Sequence, residues 1–259
     1  MENILSEFSK LFPAFDAALA GGFVVFTRLL GFVIVAPVFY RKEMASMVKI
    51  GFCFILAIIF TSILKPAPPP AETFLILPII LNIAVGGIIG YVARLILVAV
   101  EAGADMINMQ MGLSSAMVLD PSTQTQVSIM EKFFSIFGIL IFIQLGGIYW
   151  LFQALLRSFE VFPLYATSIP LAKLVNMDYL IKMTSNVLFM GLQIASPVLL
   201  ATLGQDIILG MISKTAPQVN VFQLSFLFKP VLGAAIMVWI LPMLITVISD
   251  YFLSFSHIF

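Results

Sequence analysis

Residues Phe74–Val100, FLILPIILNIAVGGIIGYVARLILVAV, run without a turn signal into Glu101–Pro121, EAGADMINMQMGLSSAMVLDP. The first part is long enough to span a bilayer, which takes about 20 apolar residues. The second part keeps helical spacing at its start but changes character. Counting from Arg94, residues Glu101, Asp105 and Asn108 lie 7, 11 and 14 positions on. These are close to whole turns at about 3.6 residues per turn, so one helix carries all four in a narrow polar sector. Glu101 and Asp105 are like charges four apart, an arrangement mildly unfavourable alone that calls for a partner or water. A polar stripe on an apolar helix is expected to face a lumen, a cavity or another subunit. Beyond it, the stretch turns rich in Gly, Ser, Ala and Met, the composition of a soft segment that moves or blocks a path.

The rest of the chain matches this membrane character. Of 259 residues, 61% are hydrophobic and 10% charged, where soluble domains carry about 25% charged. So little charge leaves the apolar surface uncovered by water, and a soluble globular domain is excluded. The apolar residues fall into six blocks, Phe15–Pro37, Met47–Leu64, Phe74–Val100, Phe133–Leu156, Tyr179–Ile212 and Val231–Leu253, each long enough for one crossing. The expected fold is all-α and polytopic, with broken helices and hairpins. The fifth block exceeds one simple span and holds Pro197, Gly204 and Asp206, so a broken helix or hairpin is expected there. Lys65-Pro-Ala-Pro-Pro-Pro70 cannot continue a helix, and Asp120-Pro-Ser-Thr123 is expected to end one segment and cap the next.

Charge does not orient these segments. Cytoplasmic loops should hold the excess of Lys and Arg. Alternate loops hold Lys10, Lys65, Arg157, Lys173 and Lys182 on one side, and Arg41, Lys42, Lys49, Lys132, Lys214 and Lys229 on the other. Either the topology is weakly specified or the chain does not end as a conventional bundle in lipid. The 13 basic and 13 acidic residues cancel, leaving neither a basic patch for nucleic acid nor a polybasic tether. The acidic N-terminus lacks the basic region and cleavage site of a removable signal peptide.

Candidate chemistry is sparse. Cys53, the single cysteine, reads as a small buried hydrophobe and cannot by itself form a disulfide or cysteine metal site. No GxSxG, HExxH or GxxxxGK[ST] motif occurs, and His257, the one histidine, is the third residue from the C-terminus. No catalytic, cofactor or metal residue is expected. Arg28, Arg94, Asp206 and Asp250 sit in or at the ends of apolar blocks, where a lipid-facing charge costs at least about 2.5 kcal/mol. Two readings stay open: ion pairs between packed helices and subunits, or a conducting pathway. Met106, Met109, Met111 and Met117 are either core filler or a compliant seal. Gly86 and Gly90 form a GxxxG pattern, which permits close helix approach.

Several blocks, in their order and spacing over nearly the whole chain, resemble the FliR family of type III secretion export gates. They are Arg28-Leu-Leu-Gly31 with Ala36-Pro-Val-Phe39; Ala102-Gly103, Gln110-Met-Gly-Leu-Ser114 and Asp120-Pro121; Gly146-Gly147, Ser158-Phe159 and Pro163; and Ala216-Pro-Gln-Val-Asn-Val-Phe222 with Lys229-Pro230. The resemblance implies a non-enzymatic subunit joined to FliP-like and FliQ-like subunits in a helical gate, with an FlhB-like subunit outside. It implies one export-gate domain over 1–259, FliP-like over about 1–175 and FliQ-like over about 176–259. Membrane lipid and unfolded export substrates are the further implied contacts, and the assembled gate sits at the bacterial inner membrane, largely on its periplasmic side. That placement would account for the undecided charge count.

The family's channel plug, carried over residue by residue, is Gly112, Leu113, Ser114, Ser115, Ala116, Met117, Val118 and Leu119. Relatives often place Phe in this loop. Here Ser115, Met117, Val118 and Leu119 make the expected seal aliphatic and thioether. Ile148 stands where relatives often have His, and Lys42–Ser46 lacks their Pro. A flagellar system is expected. The alternatives are a virulence injectisome, or a stand-alone secondary transporter with Arg28, Arg94, Asp206 and Asp250 as ionisable groups in a substrate pathway.

Overall fold

The computed structural model describes residues 13–39, 44–67, 76–115, 118–119, 126–166 and 177–254. Among them are seven α-helices: α1 Pro13–Val35, α2 Ser46–Leu64, α3 Ile76–Gln110, α4 Ile129–Gln144, α5 Gly147–Val161, α6 Met177–Thr215 and α7 Val221–Ser254. The molecule is a polytopic, all-helical membrane protein. Its only extended structure among the described residues is an antiparallel ladder two residues long, β1 Val118–Leu119 on β2 Gln126–Val127.

Every expected apolar block is helical, with two differences. The fourth is two helices, because Gly146 takes φ +82° and stops α4 before α5 begins. The fifth is one uninterrupted helix of 39 residues that carries Pro197 inside it, instead of a break or hairpin. Its neighbours Ile194, Ala195 and Val198 are fully buried, and this packing holds the helix through the missing backbone donor. Four helices, α2, α3, α6 and α7, are long and apolar enough to cross a membrane, or five spans if α4 and α5 make one. The first block contributes a shorter apolar helix among the described residues, Leu19–Val35 of α1.

The chain divides into two compact units, which interleave along the sequence. One comprises Met1–Arg94 and Tyr149–Tyr179, the other Leu95–Ile148 and Leu180–Phe259. In the first, α1 and α3 touch backbone to backbone. A Cβ at Gly86 would overlap the Arg28 carbonyl, one at Gly31 would overlap the Ile83 carbonyl, and one at Gly90 would lie 2.8 Å from the Phe32 carbonyl. The GxxxG pattern therefore has a definite use, as the seat of α1. α2 packs antiparallel to α1 and ends where Lys65 turns left-handed (φ 44°) ahead of Pro66.

In the second unit, α3 meets α6 at another glycine pair. A Cβ at Gly103 would lie 2.8 Å from the Gly191 carbonyl and 3.1 Å from Ile194. α4 rests Gly138 on Leu97 and Val100 of α3. Phe142 lies over Gly147 and meets Phe252 of α7 edge-on, with ring centres 5.8 Å apart.

Candidate functional site

The end of α3 builds the first candidate. α3 is continuous from Ile76 to Gln110, so Arg94, Glu101, Asp105 and Asn108 do align along one sector. The opposite face is dry: Ala93, Ile96, Val100, Ala104 and Ile107 are buried, with Gly103 among them. Arg94, Glu101 and Asp105 are half-buried, and Asn108 is 1% exposed. Asn108 Oδ1 has no hydrogen-bond donor among the described residues. A buried acceptor left so costs about 1–3 kcal/mol, so this end of the stripe is built to meet a further polar group.

Past Gln110 the helix stops at Gly112, whose φ of +71° only glycine adopts without strain, and whose amide donates to the Met109 carbonyl at 3.1 Å. Leu113–Ser115 make one 3₁₀ turn, with Leu113 half-buried and Ser114 exposed. Ala116, Met117 and Asp120–Thr125 lie outside the described residues. Val118 pairs with Val127 and Leu119 with Gln126, so the chain doubles back. It then enters α4 through a capping box. Ser128 Oγ accepts from the Glu131 amide at 3.1 Å, and the Ser128 amide donates to Glu131 Oε2 at 3.4 Å. The cap is thus Ser128 rather than the Asp120–Thr123 turn. The resulting loop is fixed at both feet, by a left-handed glycine and by a cap.

The methionines separate. Met111 is 1% exposed, and α7 makes room for it at Gly233, where a Cβ would lie 2.6 Å from Met111 Cγ. Met106 is half-buried, and Met109 is 65% exposed. Met111 fills core, whereas Met109 faces outward beside the loop.

The second candidate centres on Arg28, completely buried in the middle of α1. Its Nε donates to Asn82 Oδ1 (2.8 Å), Nη1 to Ser158 Oγ (3.1 Å) and Nη2 to the Phe162 carbonyl (2.7 Å). The guanidinium carbon stands 4.0 Å above the Phe159 ring centre and 5.4 Å from that of Phe162. Asn82 is held in turn, its Nδ2 donating to the carbonyls of Pro78 (2.7 Å) and Leu164 (2.9 Å). Ser158 Oγ donates to the Leu155 carbonyl at 2.6 Å. Among the described residues no carboxylate joins this set. Dipoles and ring faces balance the charge instead. α5 has no basic residue in its last turn, and Arg28 supplies one from another helix at its negative end. Close by, the Tyr165 hydroxyl is buried without a partner, and burial pushes that phenol above its ordinary pKa of 10.0.

Sequence reasoning singled out Arg28 but not Asn82, Phe159 or Phe162 as its partners. Ser158-Phe159 stood in a separate block of the resemblance, and the fold joins the two blocks. Of the remaining charges, Asp206 forms an ion pair with Lys229 at 2.8 Å and is partly exposed. Asp250, near the end of α7, is exposed. His257 lies outside the described residues. No cluster of three or more metal-ligating side chains occurs among the described residues.

The sequence pattern of the bacterial export proteins, family 1, matches residues 19–255. This chain belongs to that family. Relatives carry the same assignment over most of their length. The flagellar biosynthetic protein FliR of Bacillus subtilis is 28% identical over 251 residues, which cover 93% of this chain and 91% of that protein. The FliR of Escherichia coli is 24% identical over 225 residues, 84% of this chain and 82% of the relative. The surface presentation of antigens protein SpaR of Salmonella typhimurium is 25% identical over 232 residues, 84% and 83%. The matched range of the export family holds both candidates, the Arg28 cluster and the loop after α3.

Proposed function

We propose that this export-family chain is a non-enzymatic subunit of a flagellar type III export gate, at the bacterial inner membrane, and that Gly112–Leu119 plugs its channel. The observation that carries the reading is the loop itself. It leaves the end of a polar-striped helix at a left-handed glycine and returns through a two-residue ladder to a capping box. A plug has to exclude water and ions at rest yet yield to an exported chain. Two ladder pairs and small or aliphatic side chains give a barrier of only a few kcal/mol, while the fixed feet return the loop to its place.

In this reading the stripe of Arg94, Glu101, Asp105 and Asn108 faces the lumen or a neighbouring subunit, and Asn108 finds its missing donor there. FliP-like and FliQ-like subunits surround the chain, an FlhB-like subunit lies outside, and the assembled gate stands largely on the periplasmic side. The exposed apolar faces support such partners. Only 17% of the α2 span and 28% of the α7 span are buried within this chain. A photo-crosslinker at Leu113 tests the proposal. It should capture an export substrate stalled in transit, and capture no substrate when the crosslinker is moved to exposed Leu200 on α6. Equal capture at both positions, or none at Leu113 in assembled gates that hold a stalled substrate, rules the plug assignment out.

A further inference from the structure

α7 packs on both helices that carry the loop after α3. On the incoming side the helical bonding of α3 runs one residue past Gln110, where the Met111 amide donates to the Ile107 carbonyl at 2.9 Å. Met111 directly precedes the left-handed Gly112. Its side chain wraps bare backbone on α7. A Cβ at Gly233 would lie 2.6 Å from Met111 Cγ and 3.0 Å from both Sδ and Cε. On the outgoing side, α4 begins at the Ser128 cap and meets α7 where Phe142 touches Phe252. One helix therefore backs both supports of the loop.

Position and softness give the Met111 contact a use beyond filling space. Among the described residues Met111 is the last buried side chain before the loop, since Leu113 is half-buried and Ser114 exposed. Gly112 stands in open space, where a Cβ would have no neighbour within 4 Å. From the α3 side, the loop is thus held through Met111. The seat on α7 is also the pliable part of that helix. Pro230 lacks the amide that would meet the Phe226 carbonyl, and Gly233, a poor helix former, follows within one turn. α7 therefore bends most readily where Met111 rests. A bend there takes the seat from under the thioether. An unbranched, flexible methionine can leave such a slot and re-enter it without forcing its neighbours apart.

We infer that Met111 seated against Gly233 is the latch that positions the loop at rest, and that bending of α7 at Pro230–Gly233 releases it. Met111 and Gly233 are then positioning residues for the gate, acting on Gly112–Leu119 from outside that segment. The inference rests on the plug assignment above.

The test measures ion conductance of the assembled gate in planar bilayers, beside the complex lacking Gly112–Leu119. Met111→Ala empties the slot, and Gly233→Val fills it and drives the thioether out. Each should raise the open fraction by about tenfold or more, the effect of losing the packing of one buried methionine. The Met111→Ala/Gly233→Val double variant returns to the slot as many side-chain atoms as it removes, so it should close again to within about twofold of wild type. Changes that acted independently would add instead. A second arm decides the matter if Gly233→Val does not assemble. In a Cys53→Ala background, Met111→Cys/Gly233→Cys brings two thiols within disulfide reach. Once the disulfide has formed, the gate should stay shut and export should stop, and reductant should restore it. A deletion complex that conducts while both single variants stay as tight as wild type overturns the latch and leaves the plug standing. So do leaking single variants without mutual rescue, or undiminished export through the disulfide-bonded gate. A deletion complex that stays tight removes the plug, and the latch with it.

Discussion

Replacing Arg28 by Met keeps the bulk of the side chain and removes its donors. Three hydrogen bonds disappear, to Asn82, Ser158 and Phe162. Ser158 still has its bond to the Leu155 carbonyl, so the new orphans are Asn82 Oδ1 and the Phe162 carbonyl. Each buried orphan acceptor costs about 1–3 kcal/mol, or roughly 2–6 kcal/mol for the pair. The lost contact with the Phe159 face adds about 1 kcal/mol, and release of the buried charge from its own desolvation cost works the other way. The net expectation is a loss of about 3–4 kcal/mol. For a chain of this size that is roughly 6–16 °C in apparent Tm. Arg28→Lys keeps the charge but brings one compact donor group to three separated acceptors, so it should recover less than half of the loss. The assay is thermal unfolding of the detergent-purified complex, with Ser158→Ala and the Arg28→Met/Ser158→Ala double variant closing a cycle. The two sites are in direct contact, so a coupling energy of about 1 kcal/mol is expected. An Arg28→Met complex within about 1 °C of wild type, or strict additivity in the cycle, refutes the view that Arg28 joins α1, α3 and α5.

Four further outcomes follow from the same geometry. Gly86→Ala puts a Cβ into the Arg28 carbonyl, a backbone atom that cannot swing away, and should cost about 1–3 kcal/mol by parting α1 from α3, measured by the same thermal shift. Ser128→Ala removes the cap of α4 and should cost about 1 kcal/mol, seen as faster amide exchange in Ile129–Lys132 with the exchange of α6 unchanged. Asp206→Asn breaks a partly exposed ion pair and should change stability by less than about 1 kcal/mol, so a large loss of complex would place this pair inside an interface. Tyr165 is held neutral by burial, so its folded form keeps the proton to higher pH than the unfolded chain. Its stabilising contribution is intact below about pH 10 and falls as the pH rises beyond it. Tyr165→Phe should remove that alkaline loss without lowering stability at neutral pH, because the hydroxyl has no partner to lose.

The helices were legible because bilayer-length apolar runs leave little choice. Block boundaries read from hydropathy agree with α2 to one residue. The Arg94–Asn108 stripe was legible for the same reason, since one periodicity governs one continuous helix. Breaks were harder. Gly146 and Pro197 both look like breakers, yet only Gly146 ends a helix, because the packing of Ile194, Ala195 and Val198 decides the other case. The Arg28 cluster was half legible. A lone arginine in an apolar run demands partners, but nothing local points 54 residues on to Asn82 or 130 residues on to Ser158. The capping box is readable in principle from Ser128 and Glu131, but the Asp120-Pro-Ser-Thr123 turn is the more conspicuous signal in the sequence.

Ion conductance of the purified gate complex in a planar bilayer tests the central claim most directly. Wild-type complex should stay closed, and complex lacking Gly112–Leu119 should assemble normally and conduct small ions continuously, since buried Met111 and the Ser128 cap both lie outside the deleted segment. A deletion complex that assembles and remains as tight as wild type would contradict the account.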